Sequence, residues 1–178
     1  MTYPVFASGD VLNASDMNAV GLWLVKTQTI GTAVSSVTVT GAFSADYDNY
    51  RLVCNHTSFS TTANVLVQLG TGTATTTNYN GYIRTAYNPW GTATPADVAV
   101  TNAFQATSST GAATSFSMDI FAPNLARVTY AGGHFANQSN GGYLAGRQSD
   151  STQFTSLHVS VTAGTMTGGP IKIYGYQN

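Results

Sequence analysis

Glutamate is absent from the 178 residues, and lysine and arginine together number only 6. Charged residues make up 7% of the chain, far below the roughly 25% of an ordinary soluble domain. Without Glu and with two Lys, the chain lacks the residues that favour helices, which excludes a helical bundle or a coiled coil. A net charge of −1 and a pI near 6.2 leave no basic surface for phosphates, so nucleic-acid binding is not expected. The single cysteine, Cys54, rules out an internal disulfide. No apolar run approaches the ~20 residues of a membrane span; the longest, Val20 to Val25, is strand-sized, so membrane insertion is not expected. The start, Met1 to Phe6, has no basic stretch followed by an apolar one, so a signal peptide is not expected and synthesis is placed in a cytoplasm.

Polarity comes instead from 27 Thr and 16 Ser, beside 43% hydrophobic and 11% aromatic residues that are enough to form a core. β-branched residues favour strands, and from Leu22 onward the apolar residues recur with period two. Val37 and Val39, Val65 to Leu69, Phe116 to Ile120, Leu157 to Val161, and Ile171 with Ile173 each alternate with a second face rich in hydroxyls, which also holds Leu66, Asp119, His158 and Lys172. With Trp23 to Ile30, Tyr50 to Phe59, Arg127 to Phe135 and a weaker Ala96 to Phe104, about nine strands are expected. Turn clusters at 70–72, 108–111, 139–142 and 164–169 separate them. This reads as an all-β protein: an antiparallel two-sheet sandwich, jelly-roll-like, over residues 22–178. Residues 1–21 differ. Asn13 to Val20 is the one plausible helix, two turns capped by Asn13 or Ser15 and ended by Gly21, and too short to stand undocked.

Residues that carry chemistry are few. No phosphate-binding loop and no Gly-x-Ser-x-Gly elbow is present, and no cofactor is expected. His56, His134 and His158 lack metal-ligand spacing; His158 sits on the polar face of a strong strand and is expected to be solvated, while His134 could join a ring at a symmetry axis. Cys54 shares a face with Leu52 and reads as a core residue. Asp46 and Asp48 are the closest carboxylates and read as a turn that binds backbone amides, ahead of an ion site or an acid–base pair. The stretch from Tyr79 to Gly91 offers Tyr82, Tyr87, Asn88 and Trp90 as a subunit contact or a glycan contact. Near the end, Tyr174 and Tyr176 share a face with Lys172, opposite Ile171 and Ile173.

Two segments carry a resemblance. Val5 to Asn18, with an aromatic, then Gly9-Asp10, Leu12 and a closing Asn18, resembles the amino-terminal motif of many tailed-bacteriophage structural proteins. Gly41 to Val53 and the ending Ile171 to Tyr176 are similar to β-sandwich domains of phage fibres and appendages. The resemblance implies a virion structural protein and a homotrimer, fixed to capsid, neck or tail proteins through its first twenty residues, with Phe6, Asp10, Val11, Leu12, Met17 and Asn18 as the anchor. The apolar members of that set also want a partner surface on their own account. A chain with no room for a long shaft favours a short fibre, spike, head fibre or capsid decoration protein. The alternatives are an adhesin that binds a host-surface glycan and a spike-borne glycan hydrolase or esterase. With seven Asp and no Glu, an enzyme must assemble its carboxylate pair across loops or subunits, so a non-enzymatic role is expected.

Overall fold

The computed structural model describes residues 9, 21–87, 96–107, 113–138 and 140–176. It is an all-β, two-sheet antiparallel sandwich. The large sheet runs β1 (Leu22–Thr29), β13 (Pro170–Tyr176), β3 (Asn49–Phe59), β8 (Thr114–Phe121), β9 (Thr129–Asn137), β10 (Asn140–Gln148), β5 (Tyr79–Tyr87) and β6 (Ala96–Val100). A ninth, short strand, β12 (Met166–Thr167), pairs with β3. The small sheet runs β2 (Ser36–Thr40), β11 (Ser156–Val161), β4 (Val65–Gly70) and β7 (Phe104–Gln105).

Eight of these strands form a jelly roll. With β5, β6, β9, β10 and β12 set aside, the remaining strands renumbered in chain order read 1-8-3-6 in one sheet and 2-7-4-5 in the other. That interleaving of two Greek keys is the jelly-roll order. Strands β5, β6, β9 and β10 are insertions between its strands, and together they widen the large sheet beyond β8 into a four-stranded wing.

Alternation places one residue of each strand in the core at each level. One in-register row crosses the inner face of the large sheet as Ile173, Leu52, Met118, Gly133, Leu144 and Ile83. It packs against Val39, Val65, Val67, Leu69, Leu157 and Val159 of the small sheet, all buried. Each such side chain contributes about 1.5–3 kcal/mol by leaving water. Gly133 interrupts the row because a Cβ there would lie 2.2 Å from the Ser117 carbonyl oxygen. The wing is tied to the small sheet by Tyr79, whose ring meets Phe104 edge-on at 5.0 Å and whose hydroxyl accepts from the Leu69 amide at 2.8 Å. Its far end is closed by Gln148 and Asp150. The Gln148 carboxamide donates to the Asp150 carboxylate at 2.6 Å, and Asn78 donates to the same carboxylate at 2.6 Å.

Several expectations are corrected. Tyr79–Tyr87 is a strand of the wing, and the Gly-rich 140–142 segment opens β10 where a turn was expected. Glycines there let β10 approach its neighbour: a Cβ on Gly142 would lie 2.0 Å from the Arg84 carbonyl oxygen. Ala96 to Phe104 is two strands in different sheets, separated by a bend at 101–103. His158 is buried, at 7% exposure, because the 70–75 turn folds over it. Asp46 accepts from the Ser44 hydroxyl at 2.9 Å, where a backbone amide was expected. Cys54 is in the core, as expected, its Sγ 3.3 Å from the Thr57 hydroxyl, and burial pushes its thiol up. The short helix expected at 13–20 lies outside the described residues.

Candidate interface on the outer face of the large sheet

The two sheets turn different chemistry toward the outside. On the small sheet the outward positions are Ser36, Thr38 and Thr40 on β2, Ser156, His158 and Ser160 on β11, and Leu66 and Gln68 on β4. Apart from Leu66 these are hydroxyls, an amide and an imidazole, and those at the centre, Thr38, His158 and Ser156, hydrogen-bond to one another. His158 Nδ1 lies 3.0 Å from the Thr38 hydroxyl and Nε2 lies 3.1 Å from the Ser156 hydroxyl. Gln68 donates to the Asn102 carbonyl at 2.9 Å, and the Gly72 amide donates to Ser156 at 3.0 Å. Burial lowers the pKa of His158. The centre of this face is covered, while Ser36, Thr38 and Thr40 on the edge strand are exposed.

The outer face of the large sheet is open and mixed. Every large hydrophobic residue exposed among the described residues stands there: Leu22, Leu24, Tyr82, Phe121, Tyr130 and Tyr143. Register arranges them in rows. One row runs Tyr174, Arg51, Asp119, Gly132, Ala145, Tyr82; on one side of it lie Phe121, Tyr130, Arg147, Asn80; on the other lie Lys172, Val53, Ser117, His134, Tyr143, Arg84.

Near β3 the face is knitted together. Arg51 Nε lies 3.1 Å from Asp119 Oδ1, too far off the N–H direction to count as a hydrogen bond, and Nη2 donates to Oδ2 at 3.4 Å. Tyr176 donates its hydroxyl to the same carboxylate. Burial, then the bond to Asp119 and its negative charge, push the Tyr176 phenol up to about 12, with Arg51 opposing. The pair is partly exposed, so its worth is about 0–1 kcal/mol.

The face opens into two shallow depressions, one on the wing and one across β3, β8 and β9. One, of about 410 Å³, is lined by Asn80, Tyr130, Ala131, Ala145, Gly146 and Arg147. Tyr130, Arg147 and Asn80 are direct cross-strand neighbours on β9, β10 and β5, so an aromatic plane, a guanidinium and a carboxamide surround a floor of small residues. Tyr130 is 54% exposed. Beyond the floor, Tyr82 and Tyr143 meet edge-on with centroids 6.1 Å apart. The second depression, of about 500 Å³, lies between Arg51, Asn55, Ser115 and His134.

The residues expected from sequence fall as follows. Tyr82 stands on this face, exposed. Tyr87 ends β5 opposite Asn140, and its side chain lies outside the described part. Asn88 and Trp90, and the anchor residues Phe6, Asp10, Val11, Leu12, Met17 and Asn18, also lie outside the described residues. Tyr174 and Tyr176 share the outward face with Lys172, as the alternation implied. His134 is outward and exposed between Ser117 and Tyr143. Sequence reasoning missed Tyr130, Tyr143, Arg147 and Asn80. For Tyr143 and Arg147 the signal was the period-two pattern of 140–148, hidden by the Gly141-Gly142 pair; Tyr130 and Asn80, on β9 and β5, meet them only through register. No group of three His, Cys or Asp suited to a metal occurs among the described residues. Compared with models of protein families and with curated proteins, the chain matches none.

Proposed function

We propose that this chain is a non-enzymatic virion structural protein of a tailed phage, a trimeric short fibre, spike or capsid decoration protein. In this reading residues 1–21 join it to capsid, neck or tail proteins, and the β-sandwich is displayed outward. The observation that carries the reading is the division of the sandwich into an uncharged face, hydrogen-bonded at its centre, and an open face that gathers the exposed aromatics. A sandwich of this kind is suited to hold its shape while one surface makes contacts. The amino-terminal resemblance supplies the virion.

A second reading, an adhesin that contacts a host-surface glycan, is favoured by the wing itself. Tyrosine planes beside amide and guanidinium groups serve sugar rings, whose CH faces stack on aromatics and whose hydroxyls take polar partners. A hydrolase or esterase has less behind it. Asp119 is engaged by Arg51 and Tyr176, and Asp46 by Ser44, so these carboxylates serve structure.

Deleting residues 2–20 tests the anchor. The shortened chain is expected to keep its β-sheet circular dichroism and its oligomeric state while disappearing from purified particles. Its incorporation at the full-length level would overturn the assignment.

A further inference from the structure

The wing carries more than aromatic surface. Arg51, Arg84, Arg147 and Lys172, four of the 6 cations, stand at outward register positions of the large sheet. Among the described residues, two aspartates share these rows by register: Asp97, opposite Arg84, and Asp119, opposite Arg51. The described register positions of this face therefore sum to a formal charge of +2, in a chain whose net charge is −1. In a protein with so few charges this is a deliberate sorting, and it attracts an anion to one side.

The strongest point in that field is Arg147. It is exposed, and it makes no hydrogen bond or ion pair with any described residue. It lies directly between Tyr130 and Asn80 beside the floor of Ala145 and Gly146. A guanidinium presents a planar fork that matches a carboxylate. Tyr130 presents a ring face for stacking. A second aromatic platform begins at Tyr82, roughly 12 Å away, two strands across and two residues along, and continues to Tyr143, one strand across and four residues along. That is farther than one sugar ring spans, so the occupant is a chain.

We propose that the wing face binds an acidic polysaccharide, a chain of sugar rings that bear carboxylates, with Arg147 on a carboxylate, Tyr130 under a ring and Tyr82 with Tyr143 under a later ring. This deepens the contact-surface reading above and rests on it. A second copy of this chain is a poorer occupant, since two faces of +2 repel when apposed. A polymer of phosphates offers charge with no ring for the tyrosines.

The test is binding of the full chain to polygalacturonate, with dextran as a neutral ring polymer and inorganic polyphosphate as a charged polymer without rings. The expected result is binding to polygalacturonate that weakens with salt and exceeds binding to the other two at least tenfold. Arg147→Gln, Tyr130→Ala and Ala145→Gln, which fills the floor, each reduce it about tenfold with the oligomeric state unchanged. Lys26→Gln, at a cation on the opposite edge strand β1, leaves it unaltered. Equal binding of dextran, equal binding of polyphosphate, or no binding to any of the three overturns the proposal. So does a change of oligomeric state in the wing variants, which would make the face a subunit contact. Particle incorporation is read separately. A chain that joins particles through residues 2–20 yet binds no polysaccharide refutes this inference alone. One that binds polygalacturonate but joins particles without residues 2–20 refutes only the anchor.

Discussion

The outward faces of the two sheets come from the same neutral, hydroxyl-rich chain, yet one is covered at its centre and the other open. On the small sheet, side chains are spent on each other: Thr38, His158, Ser156 and the Gly72 amide form one continuous run of hydrogen bonds beneath the 70–75 turn. On the large sheet a polar network joins Arg51, Asp119 and Tyr176, and the wing beyond β8 leaves Tyr130, Arg147 and Tyr143 open to solvent. The jelly roll supplies the rigid support, and the inserted strands supply the surface with contact chemistry. Low charge thus acts in two ways. It lets the centre of one face be covered without buried ions, which are costly when unpaired, and it makes the few cations on the other face count.

The sharpest way to probe that difference is a matched pair of glycines, one on each outward face. Gly70 lies under the turn, where a Cβ would stand 2.0 Å from the Thr73 carbonyl oxygen and 2.7 Å from His158 Nε2. Gly70→Ala is expected to cost about 3 kcal/mol or more in denaturant melts, because backbone would have to move. An unchanged midpoint would mean that the centre of the small-sheet face is not covered.

Next in size is the tether between the wing and the small sheet. Tyr79→Phe removes the acceptor of the buried Leu69 amide, and about 1–3 kcal/mol of stability is expected to go with it. If hydrogen exchange at Leu69 stays as slow as before, the wing is not held by that bond.

The third effect is on pH dependence. Burial holds the His158 imidazole below its ordinary value near 6.5, so the folded chain favours the neutral ring. The unfolded chain binds the proton first as pH falls. The stability contributed by this site is complete above pH ~6.5 and is lost as pH drops from there through the folded pKa. His158→Gln is expected to flatten that part of the stability profile. A wild-type profile that is flat between pH 7.5 and 5 would contradict the assignment.

The smallest effect belongs to the open face. A Cβ on Gly132 meets only the Leu144 carbonyl oxygen at 3.7 Å, an ordinary contact. Gly132→Ala is expected to leave stability unchanged or raise it by about 0.5 kcal/mol through the unfolded chain. A loss comparable to that of Gly70→Ala would erase the distinction between the faces.

Much of the fold could be read directly from period two, because strands such as β8 and β13 bury every second residue against one core. The jelly-roll strands have strong alternation and clear turn clusters around them. The wing was harder to read for a physical reason. Its strands carry glycines at points of close backbone approach, such as Gly133 and Gly142, and local sequence cannot distinguish a glycine needed for packing from one that makes a turn. His158 was misread for a related reason: alternation tells which face a residue takes, and a loop from elsewhere in the chain decides whether that face is covered. Tyr82 was visible as part of an aromatic stretch. Its partners Tyr130, Tyr143 and Arg147 come from other strands and meet it only through register.

The division between the faces is tested most directly by side-chain footprinting of the full chain with and without polygalacturonate. Protection from hydroxyl-radical labelling is expected at Tyr130, Tyr82 and Tyr143, with Leu66 on the small sheet labelled equally in both states. Unchanged labelling of the three tyrosines, or protection centred on Leu66, would contradict the account.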